Sequence, residues 1–208
     1  MRSWRHASRC RGGIVKGVIW DLCSGLGGWT EAFVEAGWRV IRIENNPELK
    51  HIPHTYCLDV LDWRAWIGAF PDPDIIVASP PCLEFSLAFN APKPKAIREG
   101  RDFEPNMEIL EAVMEVVDAK KPSWWIVENV YGASKVFTSF LNREPTQIIP
   151  PFMLWGNFPP LPLLGNKLKK PKNKNLMNGA QNRALIPFEL SFELLQTWRE
   201  QTTLQEWF

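Results

Sequence analysis

No stretch of the 208-residue sequence stays apolar for the roughly 18 residues that a membrane-spanning helix requires. The opening stretch, MRSWRHASRCRGGIVKG, is basic but has no apolar segment of the secretory kind, so residues 1–16 read as a basic tail. Cysteine is scarce. Cys10, Cys23, Cys57 and Cys82 lie far apart, with no CxxC pair and no histidine cluster at ligand spacing. That excludes a zinc site and a disulfide framework, and it points to a cytoplasmic, reducing setting in which a free thiol survives. An excess of one charge is missing too, since 24 Lys and Arg against 23 Asp and Glu leave a net charge of +1. The distribution says more than the total. From Asn166 to Arg183 there is no acidic residue, while Lys167, Lys169, Lys170, Lys172, Lys174 and Arg183 are all basic. Such a block suits a phosphate backbone as well as it suits a solvated loop.

What the sequence does contain is an alternation of strands and helices. GVIWDLCSG reads as a first strand ending in a glycine turn, and WTEAFVEAG as a helix closed by Gly37. WRVIRIENN and HTYCLDVLD give a second and a weaker third strand, DIIVASPP a fourth, and SWWIVENV a fifth. NMEILEAVMEVVDAKKP is the clearest helix, apolar at Ile109, Leu110, Val113, Val116 and Val117 and stopped by Pro122. This order predicts an α/β fold: a doubly wound parallel sheet with helices on both faces. Residues 142–175 lose the pattern and read as loops around one strand, PFMLWGNF, before a last helix, PFELSFELLQTWREQ.

Four strand ends carry chemistry. DLCSGLGGWTEAF joins a strand to a helix through Gly25, Gly27 and Gly28, which let the backbone approach a ligand. It is not the dinucleotide fingerprint, because Thr30 stands where the third glycine belongs. Glu44 ends the second strand and could bind ribose hydroxyls, and Asp59 ends the third and could reach an adenine amino group. Together they describe a nucleoside pocket. In ASPPCLEFS, residues 78–86, two prolines bring an apolar strand to a stiff stop and hold Cys82 just past its carboxyl end. The proline-broken segment after it carries Lys93, Lys95, Arg98 and Arg101, as a mobile loop closing over a nucleic acid strand would.

DLCSGLGG, SPPC and ENV, in that order and spacing, resemble the DNA cytosine-5 methyltransferase family over roughly residues 17–135. The resemblance implies a Rossmann-like fold using S-adenosylmethionine. By that likeness Asp21, Cys23, Ser24, Gly25, Leu26, Gly27, Gly28, Glu44, Asn45, Asp59, Val60 and Pro80 bind the cofactor. Residues 17–141 would be the catalytic core, 142–183 a small basic target-recognition-like region, and 184–208 a C-terminal helix packed on the core. The family's Q-x-R-x-R motif corresponds either to QNRAL, with Gln181 and Arg183, or to the strand following TQIIPPF, while its last motif, G-N-x-V, has no clear counterpart.

The implied chemistry explains the stiff thiol. Carbon 5 of cytosine is a poor nucleophile until a thiolate adds to carbon 6 and an acid engages ring nitrogen 3. Cys82 would be the thiolate and Glu128 the group at nitrogen 3, with a raised pKa from burial beside SWWIV. Asn129 would brace the proline-cysteine loop, and Arg183 would meet the base's carbonyl oxygen or a phosphate. The resemblance implies DNA as the partner, either a duplex with a flipped cytosine or a single strand, as in restriction–modification enzymes. Three alternatives stay open. The same chemistry could act on RNA, although the Cys-Phe-Thr signature of the tRNA-methylating branch is missing. A relative could transfer another sulfonium-borne group, and a silent homologue could bind DNA only.

Overall fold

The computed structural model describes residues 17–163, 168 and 185–205. Among these, seven strands form one sheet: β1 (Val18–Leu22), β2 (Arg39–Glu44), β3 (Thr55–Cys57), β4 (Ile75–Ala78), β5 (Trp124–Val130), β6 (Gln147–Ile149) and β7 (Phe152–Asn157). The helices are α1 (Glu31–Glu35), α2 (Trp63–Trp66), α3 (Pro92–Arg98), α4 (Glu108–Lys120), α5 (Ser134–Leu141) and α6 (Phe188–Gln205). The strand order is β3-β2-β1-β4-β5-β7-β6.

The first five strands run parallel, which requires the helical crossovers that the sequence pattern shows. The wholly parallel expectation needs correcting at the far edge. β7 lies antiparallel to both β5 and β6. The reason is the connection, since Pro150 and Pro151 alone link β6 to β7 and two residues can join only antiparallel neighbours. Residues 147–157, read as the start of a separate basic region, therefore extend the core sheet.

Side chains alternate between two cores, as strand geometry demands. Ile19, Val40, Val77, Ile126 and Leu154 face one side, covered by Phe33 of α1 and by Leu190, Leu194 and Trp198 of α6. Trp20, Ile41, Ile76, Val127 and Trp155 face the other, against Val113 and Val116 of α4 and Phe137 of α5. The sheet is thus clothed on both faces. Helix α4 stops at Lys121, which adopts a left-handed conformation (φ 48°) just before Pro122. Helix α6 docks through Trp198, edge-to-face with Trp124 at 4.8 Å and with Trp38 at 5.8 Å. With each buried Leu worth about 1.5–3 kcal/mol, Leu190, Leu194 and Leu195 alone anchor the helix by several kcal/mol.

Candidate active site

Register brings the strand ends into one row. Leu22 pairs with Ile43 and with Ala78, and Ala78 pairs with Val127. The next residue on each strand is Cys23, Glu44, Ser79 and Glu128, so all four stand at the carboxyl edge of the sheet. Open parallel sheets place their ligands at this edge.

The glycine turn is built on left-handed backbone at Cys23 (φ 57°), Gly25 (φ 52°) and Gly27 (φ 76°). Glu44 holds the turn from the neighbouring strand. Its Oε2 accepts from the Gly25 amide at 2.8 Å and its Oε1 from the Asn46 amide at 2.9 Å. Asp59 is fixed likewise, accepting from the Leu61 amide at 2.9 Å and from Asn45 Nδ2 at 3.3 Å. A carboxylate has about four acceptor positions, so both acids keep capacity for a ligand's hydroxyl or amino groups.

A cavity of about 730 Å³ opens beside the turn, well within the size range of small-molecule sites. Cys23, Gly25, Glu44, Asn45, Asp59 and Val60 line it, and so does Cys82. The remaining expected cofactor residues, Asp21, Ser24, Leu26, Gly27, Gly28 and Pro80, are not among its lining residues. Pro80 lines a smaller pocket of about 240 Å³, and Pro81 lines both. Gly28 serves packing, since a Cβ there would lie 2.3 Å from the carbonyl oxygen of Ile186. Ser24 Oγ is buried with no hydrogen-bond partner, an orphaned polar atom on the same turn.

Burial, reinforced by the charges of Glu44, Asp21 and Asp59, pushes the Cys23 thiol up, so Cys23 stays protonated and is no nucleophile. Asp21 is fully buried, and burial pushes its carboxyl up to about 7 against the opposing charge of Arg42. It meets Thr30, whose Oγ1 donates to Asp21 Oδ2 at 3.2 Å.

The proline-cysteine loop is braced at several points. Trp29 Nε1 donates to Ser79 Oγ at 3.0 Å, and Asn129 Nδ2 donates to the Pro80 carbonyl at 3.0 Å. Asn129 is 1% exposed and Glu128 8%. Glu128 does not line the 730 Å³ cavity; register sets it beside Ser79 on the adjacent strand. Past Cys82 a short 3-10 turn, Leu83–Phe85, packs under Gly132, where a Cβ would sit 1.9 Å from the Phe85 carbonyl oxygen.

The segment beyond differs from a plain loop. Helix α3 begins with Pro92 at its first position, where proline's missing N–H is no loss. Exposed apolar side chains surround it, with Phe89, ahead of the helix, 71% exposed and the Arg98 guanidinium stacked 3.7 Å from the Phe89 ring centroid.

Arg183, Gln181 and the lysines of 169–174 lie outside the described residues. The sequence reading missed Arg42, Trp29, Ser79 and Ser191. Ser191 Oγ, on α6, donates to the Trp29 carbonyl at 2.7 Å and accepts from the Ala32 amide at 3.2 Å, tying the last helix to the glycine turn.

A five-stranded parallel unit with an antiparallel edge pair, and a cavity of small-molecule size at its carboxyl edge, define a Rossmann-like α/β fold. The C-5 cytosine-specific DNA methylase family model matches residues 18–139, more than half of the sequence, and the chain belongs to that family. No curated protein matches the chain. Among solved structures it is similar to a protein described as a DNA modification methyltransferase encoded within an E. coli prophage, at 20% identity and TM-score 0.41, over 61% of this chain and 36% of that one. It is also similar to the S. pombe Dnmt2 methyltransferase, at 20% identity and TM-score 0.39, over 58% of this chain and 36% of that one. The chain thus spans little more than a third of the length of either.

Proposed function

We propose that the protein is a DNA (cytosine-5-)-methyltransferase that takes its methyl group from S-adenosylmethionine and acts through a covalent Cys82 adduct. One observation carries the reading: Cys82, held by a stiff Pro80-Pro81 lead-in, lines the same cavity as Glu44 and the Gly25 turn. The residues fit the cofactor. Glu44 and Asp59 offer carboxylates to ribose and adenine, the turn offers backbone at close approach, and the orphaned Ser24 hydroxyl has capacity for one more polar partner. When bound, the sulfonium supplies an electrophilic methyl carbon.

Everything else is the chain's own work. The Cys82 thiolate adds to carbon 6 of cytosine, and the electron pair moves through the ring toward nitrogen 3, where Glu128 donates a hydrogen bond or a proton. Carbon 5 thereby becomes an enamine carbon able to attack. After transfer, loss of the carbon-5 proton and β-elimination of the thiolate restore the aromatic ring and free Cys82. Asn129, fixed to the Pro80 carbonyl, keeps the thiol-bearing loop at a set distance from the strand that carries Glu128.

A stacked cytosine cannot reach such a cavity, so the base enters flipped out or unpaired. Basic Lys93, Lys95 and Arg98 on α3, beside exposed Phe89, give the mouth a surface suited to DNA. The basic stretch between β7 and α6 is the proposed target-recognition region. Cys23 and Cys57 are free thiols, in keeping with the proposed reducing compartment, and among the described residues no helix is long and apolar enough to cross a membrane.

The test is incubation of the protein with S-adenosylmethionine and cytosine-containing DNA, duplex and single-stranded, followed by mass spectrometry of the digested nucleosides. The expected product is 5-methyl-2′-deoxycytidine, absent with Cys82→Ser although that variant still binds cofactor. Turnover by Cys82→Ser would end the covalent mechanism, and methylated RNA without methylated DNA would reassign the substrate.

A further inference from the structure

Arg42 lies on β2, two residues before Glu44, and its side chain is 4% exposed. A guanidinium carries five N–H donors and cannot shed its charge, so burial is tolerable only where acceptors are waiting. Here they are waiting. Nε donates to Thr30 Oγ1 at 2.8 Å, Nη2 to the Gly27 carbonyl at 3.0 Å, and Nη1 to the Pro53 carbonyl at 2.9 Å. Gly27 belongs to the glycine turn, and Pro53 to the turn before β3, after which the chain reaches Asp59. One side chain therefore ties the glycine turn, whose Cys23 and Gly25 line the candidate cofactor cavity, to the turn that precedes β3.

The joint is close-fitting on both sides. A Cβ on Gly27 would lie 2.4 Å from Arg42 Cζ, so the guanidinium rests directly on the turn. On the other side His54 has a left-handed φ of 64°, and its carbonyl accepts from the Arg42 amide at 3.0 Å. Backbone and side chain of Arg42 thus hold the same turn. Asp21, its register partner on β1, is linked to it through Thr30, whose hydroxyl lies 3.2 Å from Asp21 Oδ2 and 3.3 Å from the Gly27 carbonyl. An apolar residue would fill this space without burying a charge, but it would leave the Pro53 carbonyl without its Arg42 donor and the Gly27 carbonyl with the Thr30 amide and hydroxyl alone.

We propose that Arg42, with Thr30 as its relay, is a positioning residue that sets the glycine turn against the Pro53–His54 turn and thereby tunes cofactor affinity rather than the chemistry at Cys82. This rests on the methyltransferase reading above.

The experiment uses the full chain with Arg42→Lys and, separately, Thr30→Val. Lysine keeps a charge beside Asp21 but cannot serve three acceptors on two loops at once. Valine removes the relay hydroxyl at nearly constant volume. Calorimetric titration with S-adenosylmethionine should show affinity weakened about tenfold for Arg42→Lys and several-fold for Thr30→Val, the effect of one lost charge-assisted hydrogen bond. At saturating cofactor, kcat should stay within about twofold of the unaltered chain, whereas a merely structural loss would lower the active fraction and leave Kd alone. Unchanged affinity in Thr30→Val overturns the proposal, and that variant decides alone if Arg42→Lys does not fold. An unaltered chain that binds no cofactor would remove the methyltransferase reading and this proposal with it, which distinguishes the two failures.

Discussion

Asp21 should make the fold lose stability as pH rises toward neutrality. The side chain is fully buried, Oδ1 has no hydrogen-bond partner, and Oδ2 has only the Thr30 hydroxyl. Burial therefore favours the neutral acid and lifts the pKa from 3.8 to about 7, with Arg42 opposing and Glu44 assisting. In the unfolded chain the group titrates near its ordinary value. Between these two pH values the folded state holds a proton that the unfolded state lacks, so unfolding releases it and is favoured as pH rises. The stabilising contribution is complete below about pH 4 and is gone once pH passes about 7. At about 1.4 kcal/mol per pH unit the whole effect is about 4 kcal/mol, of which about 2.5 kcal/mol falls between pH 5 and pH 8. That is a large share of the roughly 5–15 kcal/mol that holds a domain together. Urea unfolding, followed by tryptophan fluorescence across that range, should show the unaltered chain losing ground relative to Asp21→Asn, which is neutral throughout. Asparagine leaves a buried amide to satisfy, so only the difference in slope counts. Parallel stability curves would show that Asp21 is already ionised at pH 5 and that the Arg42 charge outweighs burial.

Two further changes probe the site itself. Glu44→Ala should weaken S-adenosylmethionine binding more than tenfold by calorimetry with DNA affinity little altered, because the Glu44 carboxylate both lines the cavity and holds the Gly25 amide. Gly132→Ala should lower kcat by about 10²-fold with cofactor affinity kept, because a methyl group 1.9 Å from the Phe85 carbonyl must displace the turn that follows Cys82; an unaltered kcat would show that this segment can shift without cost.

The strands of the parallel unit were legible because each is a short apolar run punctuated by glycine or proline, and α4 because its apolar residues recur at helical spacing. The glycine turn, Glu44, Asp59 and Cys82 were legible because chemistry in such sheets collects where strands end, and the cavity joins all of these. Helix α3 was not, because Pro92 and Pro94 read as breakers; in a first turn their missing N–H groups have no intrahelical partner to lose. Strand β6 was not, because three residues ahead of a Pro-Pro pair carry no periodicity of their own. For Asp21 the motif and the strand parity point in different directions, the motif toward the cofactor. Its parity along β1 carried the contrary signal, since it shares the face of Ile19, which α1 and α6 cover.

Arg42 owes its role to packing that its local sequence does not carry. Along β2 it alternates with Ile41 and Ile43, and a charged residue at such a position ordinarily marks a solvated face. The sequence pattern cannot say that the face is covered, because the cover comes from α1 and from α6, nearly 150 positions away. Ser191 on that helix reaches Trp29 and Ala32 across separations of 162 and 159 residues, and Ile186 packs on Gly28. Those contacts bury the α1 face, and burial in turn makes Arg42 a joint between loops and Asp21 a neutral acid. Local pattern therefore identifies the groups that could touch a ligand, whereas the residues that hold those groups in place depend on packing between segments far apart in the chain. A positioning residue of this kind is found by asking what a buried charge donates to, a question that becomes answerable only once the covering helix is in place.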